Sequence, residues 1–386
     1  MELNGFSLKN SFTLGLMLAV LIFSSLRFVP LNGSFSSIRY LTATSREGSI
    51  QGNFISIQEA INEAENGSTI LVPSGIYYEH VIVNKTISLI GENVSTTIID
   101  GTNNGTVVEI IADNVSISNF TIRNSGCVWD AKGVHVYHSD KCKIENNYLL
   151  NNCHNIKLDY SCNSSVLKNT IKGECYGIRL MNSFDCTVDG NSVSGCIGGV
   201  HLENATNCVV KGNYITQNNQ GVRLYSPCTF NKIVANTVYN NTYDGMIDMM
   251  PPNTTFSENI FFHNSFVNNT YPFICEGSHI WDDYPSGGNY WSRYNGTDLY
   301  RGPYQNETGS DGIGDAPYTI NSKNVDHYPL MYPWGLFLLI DKFLAEPGDP
   351  RWDVNCDVND DGIIDMVDIS IAIDQFPESI LYTEYL

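Results

Sequence analysis

From Gly133 the apolar positions of this chain fall into blocks with a period of 22 residues. In register they read GVHVYHSDKCKIENNYLLNNCH, NIKLDYSCNSSVLKNTIKGECY, GIRLMNSFDCTVDGNSVSGCIG and GVHLENATNCVVKGNYITQNNQ, opening at Gly133, Asn155, Gly177 and Gly199. A slightly longer block opens at Gly221 and another at Gly245. The second position holds Val134, Ile156, Ile178, Val200 and Val222; the fourth holds Val136, Leu158, Leu180, Leu202 and Leu224. Apolar residues two apart mark a strand with one buried face. Further apolar columns, Ile144 to Val210 and Leu149 to Ile215, predict a second and a third strand per block. Such a block is too short for a helical hairpin and suits one turn of a β-solenoid. The predicted fold is all-β: a right-handed parallel β-helix of three-strand coils around an aliphatic core.

Two polar columns belong to this scaffold. Position 15 carries Asn147, Asn169, Asn191 and Asn213, with Asn236 close to register. Stacked asparagines at a bend satisfy backbone groups that a turn leaves unpaired. Cys142, Cys186 and Cys208 share an inward position with Ser164, which reads as a buried thiol ladder. Cys153 and Cys175 stack at a turn and are the better disulfide pair. Ahead of the coils, Ile57, Ala60, Ile61 and Ala64 share one helical face behind a Ser56 N-cap, predicting a short helix that plugs the open end of the core.

Composition places the chain outside the cytoplasm. Lys9 precedes an apolar run from Phe12 to Leu26, a signal-peptide core too short to span a bilayer, although an uncleaved anchor stays open as the one link to a membrane. Fourteen N-x-S/T sequons, among them Asn66, Asn84, Asn163 and Asn268, are compatible with a secreted or cell-surface glycoprotein. A net charge of −20 excludes the basic face that a nucleic-acid partner requires.

The segment from Ser56 to Gly101, followed by the 22-residue coils, resembles the pectin-lyase-like β-helix superfamily. Within it the chain looks like the NosD-like, carbohydrate-binding and sugar-hydrolase group common in archaeal surface proteins. GGNYWSRYNGTD, SDGIGDAPYTI and NVDHYPLM, between Gly287 and Met331, look like the module that closes such repeats. The carboxyl end carries DVNDDGIIDMVD, in which Asp357, Asn359, Asp361, Asp365 and Asp368 take loop positions 1, 3, 5, 9 and 12. With Gly362 at the turn and the Ile363 carbonyl at position 7, this spacing wraps oxygen ligands around Ca²⁺. The loop resembles dockerin, which implies a cohesin-like partner, but the preceding NVDHYPLMYPWG has lost the ligands of a second loop. The expected organisation is a leader or anchor over 1–30, a linker over 31–52, the β-helix over 53–275, the closing module over 276–333 and the dockerin-like segment over 334–386.

Chemistry is expected on the outside of the first strand. Position 3, between two buried positions, reads His135, Lys157, Arg179, His201 and Arg223; position 5 reads Tyr137, Asp159, Met181, Glu203 and Tyr225. An exposed cationic column beside aromatic rings suits an anionic polysaccharide, with binding that strengthens as His135 and His201 protonate below about pH 6.5. Lys157, Arg179, Asp159 and Glu203 are also candidate catalytic groups for a polysaccharide lyase or C5-epimerase, which needs a base and an enolate-stabilising cation. A structural or adhesion protein is a further alternative. The NosD resemblance brings in a copper-accessory role, for which the histidines show no ligand spacing. Asp298, Asp311 and Asp315, set among glycines, are candidates for a second Ca²⁺.

Overall fold

The structure is a computed structural model. It describes residues 41–45, 48–126, 130–225, 227–249, 258–271 and nearly all of 273–335, with 345–347, 349, 356 and 362–368 beyond. The described residues all belong to one unit, Arg39–Leu386.

The described coils form a right-handed parallel β-helix with three sheets of nine, eleven and ten strands. The predicted register is the observed one: Val134, Ile156, Ile178, Val200 and Val222 pair in sequence down the first sheet. Ile144, Val166, Val188 and Val210 do so in the second sheet, and Leu149, Ile171, Val193 and Ile215 in the third. All of these side chains are buried in one continuous core. Five of the six coils open on glycine, Asn155 being the exception, and at those glycines the stack is tight. A Cβ on Gly199 would lie 2.5 Å from the Gly221 carbonyl oxygen, and one on Gly221 would lie 2.3 Å from that of Gly245.

The asparagine column runs further than the sequence register. Each Nδ2 from Asn147 to Asn264 donates to the Oδ1 of the next asparagine, ending at Asn289, with contacts of 2.9–3.1 Å. Two more ladders, Asn218–Asn241–Asn269 and Asn231–Asn259, brace other corners. The thiol ladder is buried as expected, and Cys228 lies buried with it. Cys153 and Cys175 are thiols whose sulfurs approach to 3.5 Å.

Both ends are covered. The helix Ile57–Glu63 buries Ile57, Ala60 and Ile61, and the Ser56 hydroxyl accepts from the Glu59 N–H at 3.0 Å. The segment expected to be a linker instead contributes two strands, Leu41–Ser45 and Gly48–Phe54, paired antiparallel with each other. At the other end Trp281 stacks on Phe261 and Trp291 on Phe266, at 4.6 and 4.7 Å. Asp326 terminates the main ladder, accepting from the Asn289 N–H at 2.7 Å and from Trp291 Nε1 at 2.8 Å. Burial, only partly offset by these bonds, raises the Asp326 pKa to about 7.

Candidate functional site

The first sheet differs from the other two in strand length. Its central strands run for six residues, such as His154–Asp159, Tyr176–Met181 and Gly198–Glu203, against three in most neighbouring strands of the coil. Three outward columns therefore form instead of one. His135, Lys157, Arg179, His201 and Arg223 are direct neighbours in the ladder, as are Tyr137, Asp159, Met181, Glu203 and Tyr225. A third column, Lys132, His154, Tyr176, Gly198, Gln220 and Asp244, lies alongside. Nothing in the 22-residue pattern singled it out, because it falls in the last position of the preceding block.

The expectation of an exposed cationic strip is corrected here. The column points away from the core, yet His135, Lys157 and His201 are only 6, 5 and 3% exposed, and Arg179 and Arg223 are half-buried. Asp159 is buried too, while Tyr137 and Tyr225 are exposed and Glu203 half-buried. Charges leaving water require partners, and these are present. Lys157 Nζ lies 3.0 Å from Asp159 and 3.6 Å from Asp130, and Lys132 Nζ lies 2.7 Å from Asp130. Arg179 pairs with Glu203, and His135 Nδ1 faces Glu109 at 3.4 Å. Three of the cations on this face, Lys132, Lys157 and Arg179, thus meet the carboxylates Asp130, Asp159 and Glu203, so they are paired within the face rather than presented as a free cationic strip. Burial works against the Asp130 carboxylate, but Lys132 and Lys157 outweigh it and hold its pKa below the usual value.

The histidines are neutral in the fold. Burial, reinforced by nearby lysines, lowers His135 to about 4; burial and then Arg179 lower His154 to about 4. Burial, then Arg179 and Arg223, take His201 to about 3. Protonation of His135 and His201 near pH 6.5 is therefore excluded. Their rings join an aromatic stack: His154 on Tyr176 at 4.9 Å, and Tyr176 beside His201 at 5.3 Å. Arg179 lies over the Tyr176 ring at 5.2 Å and Arg223 over the Tyr225 ring at 5.1 Å.

Several buried polar atoms on this face find no hydrogen-bond partner among the described residues. They are His135 Nε2, His154 Nδ1, both ring nitrogens of His201, Arg179 Nε and both Asp244 oxygens. Burial raises the Asp244 pKa. Such atoms each cost about 1–3 kcal/mol when unmet, and they concentrate where neutral imidazole, guanidinium and phenol rings lie together. That grouping supplies bases, cations and stacking surfaces.

The other candidate sites resolve differently. The Asp298 oxygens accept from the N–H groups of Asp311 and Gly312, at 3.1 and 2.8 Å. Asp311 accepts from Gly302 and Ile313, and Asp315 from Leu299 and Tyr300. These bonds tie the 298–302 segment to the 310–315 segment, and the three carboxylates do not come together as a metal-holding group. In the carboxyl-terminal loop, Asp357, Asn359 and Asp361 lie outside the described residues. Gly362 turns with φ +88°, Ile363 is exposed, and buried Asp368 accepts from the Asp365 N–H at 2.8 Å. Among the described residues no three His, Cys, Asp or Glu side chains converge to hold a metal ion. No helix among them is long and apolar enough to cross a membrane.

No curated protein matches this sequence. Solved structures with similar shape include pectate lyase Pel9A, at 12% identity and a TM-score of 0.45, covering 67% of this chain and 77% of that one. The enzymatically active domain of bacteriophage CBA120 tailspike protein 2 is 9% identical with a TM-score of 0.43, covering 60% of this chain. This chain spans 45% of that domain's length. The A-module of the Azotobacter vinelandii mannuronan C-5 epimerase AlgE6 is 13% identical with a TM-score of 0.33, covering 58% of this chain and 91% of that one. The model of the family described as periplasmic copper-binding protein (NosD) matches residues 61–296, more than half of the sequence, and this chain belongs to that family.

Proposed function

We propose that the chain is an extracytoplasmic β-helix protein that binds an acidic polysaccharide along the outward face of its first sheet. The observation that carries this reading is the group of unmet buried polar atoms beside stacked rings on that one face. Access is through its half-buried part, Arg179, Glu203, Gln220 and Arg223, flanked by exposed Tyr225. Lys132, His135, Lys157 and Asp159, in the preceding coils of the same sheet, form the supporting network. A uronate carboxylate displaces Glu203 from Arg179 in a charge-assisted pair, and sugar hydroxyls meet the half-buried Gln220 beside it. Calorimetry of the full chain with polygalacturonate, alginate and uncharged dextran tests this. Binding of the acidic polymers that weakens with salt, and that falls at least tenfold in Arg179→Ala, supports it. Equal affinity for dextran, or an unchanged Arg179→Ala, sinks it.

A second reading, lyase or C5-epimerase, is favoured by one observation: neutral His201 and His154 flank Tyr176 with Arg179 close by, a base beside a cation. Appearance of ultraviolet-absorbing unsaturated uronate, or solvent deuterium at C5, distinguishes it from binding alone. The carboxyl-terminal loop is proposed as a Ca²⁺ site that docks a cohesin-like partner. Asp357→Ala combined with Asp368→Ala is expected to abolish calcium binding by calorimetry and leave the β-helix circular dichroism intact.

A further inference from the structure

The fourteen sequons exceed chance. The chain has 43 asparagines and 58 serines and threonines, so roughly half as many sequons would arise at random. The fold separates two asparagine populations. Ladder asparagines such as Asn169, Asn191 and Asn213 are buried, and each is followed two residues on by an inward apolar side chain, which rules out a sequon. Of the twelve sequon asparagines the structure describes, eleven are exposed, Asn119 is half-buried, and none lies within a strand.

The corner positions are the most informative. Asn163, Asn204, Asn240 and Asn268 turn the chain with φ of 48–55° and sit exposed at the edges of the prism. Their hydroxyl partners, Ser165, Thr206, Thr242 and Thr270, are half-buried or exposed. Asn119 differs: its partner Thr121 is buried, and the Thr121 hydroxyl donates to the Val94 carbonyl at 2.6 Å. Modification at the corners is also compatible with the hydrogen bonds there. Asn204 Nδ2 donates to Asn182 Oδ1 at 2.9 Å, and a glycosylated amide keeps one N–H to do so.

We propose that these corner asparagines are N-glycosylation acceptors, an inference that rests on the extracytoplasmic part of the reading above. The donor class is an oligosaccharide linked through diphosphate to a membrane lipid. A bond forms between Asn Nδ2 and the sugar C1 while the C1–O bond to the diphosphate breaks. The lipid diphosphate leaves with the electron pair, and a base of the transferase takes the Nδ2 proton.

Glycopeptide mass spectrometry of the chain purified from its own cells, with the cell fractions assayed in parallel, tests the proposal. Occupied Asn163, Asn204, Asn240 and Asn268 with a bare Asn119, and loss of one glycan mass in Asn204→Gln, are the expected results. An exported chain bare at all four corners overturns glycosylation and leaves the binding reading standing. Occupancy at Asn119 equal to that at the corners overturns the structural selection. Retention in the cytoplasm overturns both this proposal and the export on which it rests.

Discussion

Two strands of one coil show how differently the same solenoid treats its outer surfaces. His154–Asp159, in the first sheet, is buried at all six positions, whereas Thr170–Lys172, in the third, alternates exposed, buried, exposed. Their inward sides are alike: Ile156 and Leu158 on one strand, Ile171 on the other, all in the common core. The difference lies wholly outside. The third sheet presents Thr170 and Lys172 to water, while the first encloses Lys157 between Asp130 and Asp159. An inward face is a requirement of folding and repeats in every coil. The outward face of the first sheet departs from the repeat and leaves polar atoms unmet, which is how a site differs from a scaffold.

The largest effect expected from this contrast is on the inward side. Ile178→Asp buries a carboxylate with no partner and should cost more than about 4 kcal/mol, unfolding several coils. Lys172→Asp, on the water-facing side of the third sheet, should change stability by less than about 0.5 kcal/mol. Thermal unfolding followed by circular dichroism measures both. Similar melting of the two variants would refute the inward assignment.

Next in size is the enclosed pair. Lys157→Met leaves the buried Asp159 with Asn182, 3.4 Å away, as its one side-chain partner among the described residues, and should cost about 3 kcal/mol. Adding Asp159→Leu removes the orphaned charge and should restore most of the loss. A double-mutant cycle in denaturant reads the coupling directly. If Lys157→Met is as harmless as Lys172→Asp, the outer face of the first sheet is as open to water as that of the third.

The ladder comes third. Asn191→Ala takes an acceptor from the Asn169 N–H and Nδ2 and a donor from the Val166 carbonyl, all buried. The expected loss is about 2 kcal/mol. Asn207→Ala, at an exposed turn, should lose far less. Equal losses would mean that the stack of amides contributes nothing beyond an ordinary turn.

What was legible in the sequence follows the same division. Strand order, the buried column from Val134 to Val222, the Asn ladder and the Ser56-capped helix all follow from periodicity or capping, and each stands in the structure. Position 3 was correctly placed outside the core, but period-two alternation says only that a residue is not in the core. It cannot say that an outward residue meets water, and Lys157 and His201 face outward yet are buried. Asp130, which stood alone in the sequence, joins Lys132 and Lys157 only when neighbouring coils stack. Strand length, which the repeat period does not show, marks the difference: the central strands of the first sheet run six residues against three in most of their neighbours. Asp298 and Asp315 join segments 13–16 residues apart through backbone N–H groups, a pairing that their spacing among glycines does not reveal.

The smallest effect concerns pH. His135, His154 and His201 have pKa values lowered to about 4, 4 and 3, so between those values and 6.5 the unfolded chain binds protons that the fold refuses. The stability from each is complete above pH 6.5 and is lost as pH falls toward the folded value, about 1 kcal/mol per histidine at pH 5.5. Asp326 has the opposite sign. With its folded value raised to about 7, its contribution is complete below the unfolded value of 3.8 and is lost as pH rises through 7. Three histidines against one aspartate make stability rise from pH 4 to 6.5. Denaturant unfolding at pH 5.5 and 7.5 should show His201→Gln losing part of the acid limb, and Asp326→Asn flattening the decline near pH 7. A wild-type acid limb in His201→Gln would show that His201 meets solvent in the folded protein, making the first sheet's outer face no different from the third's.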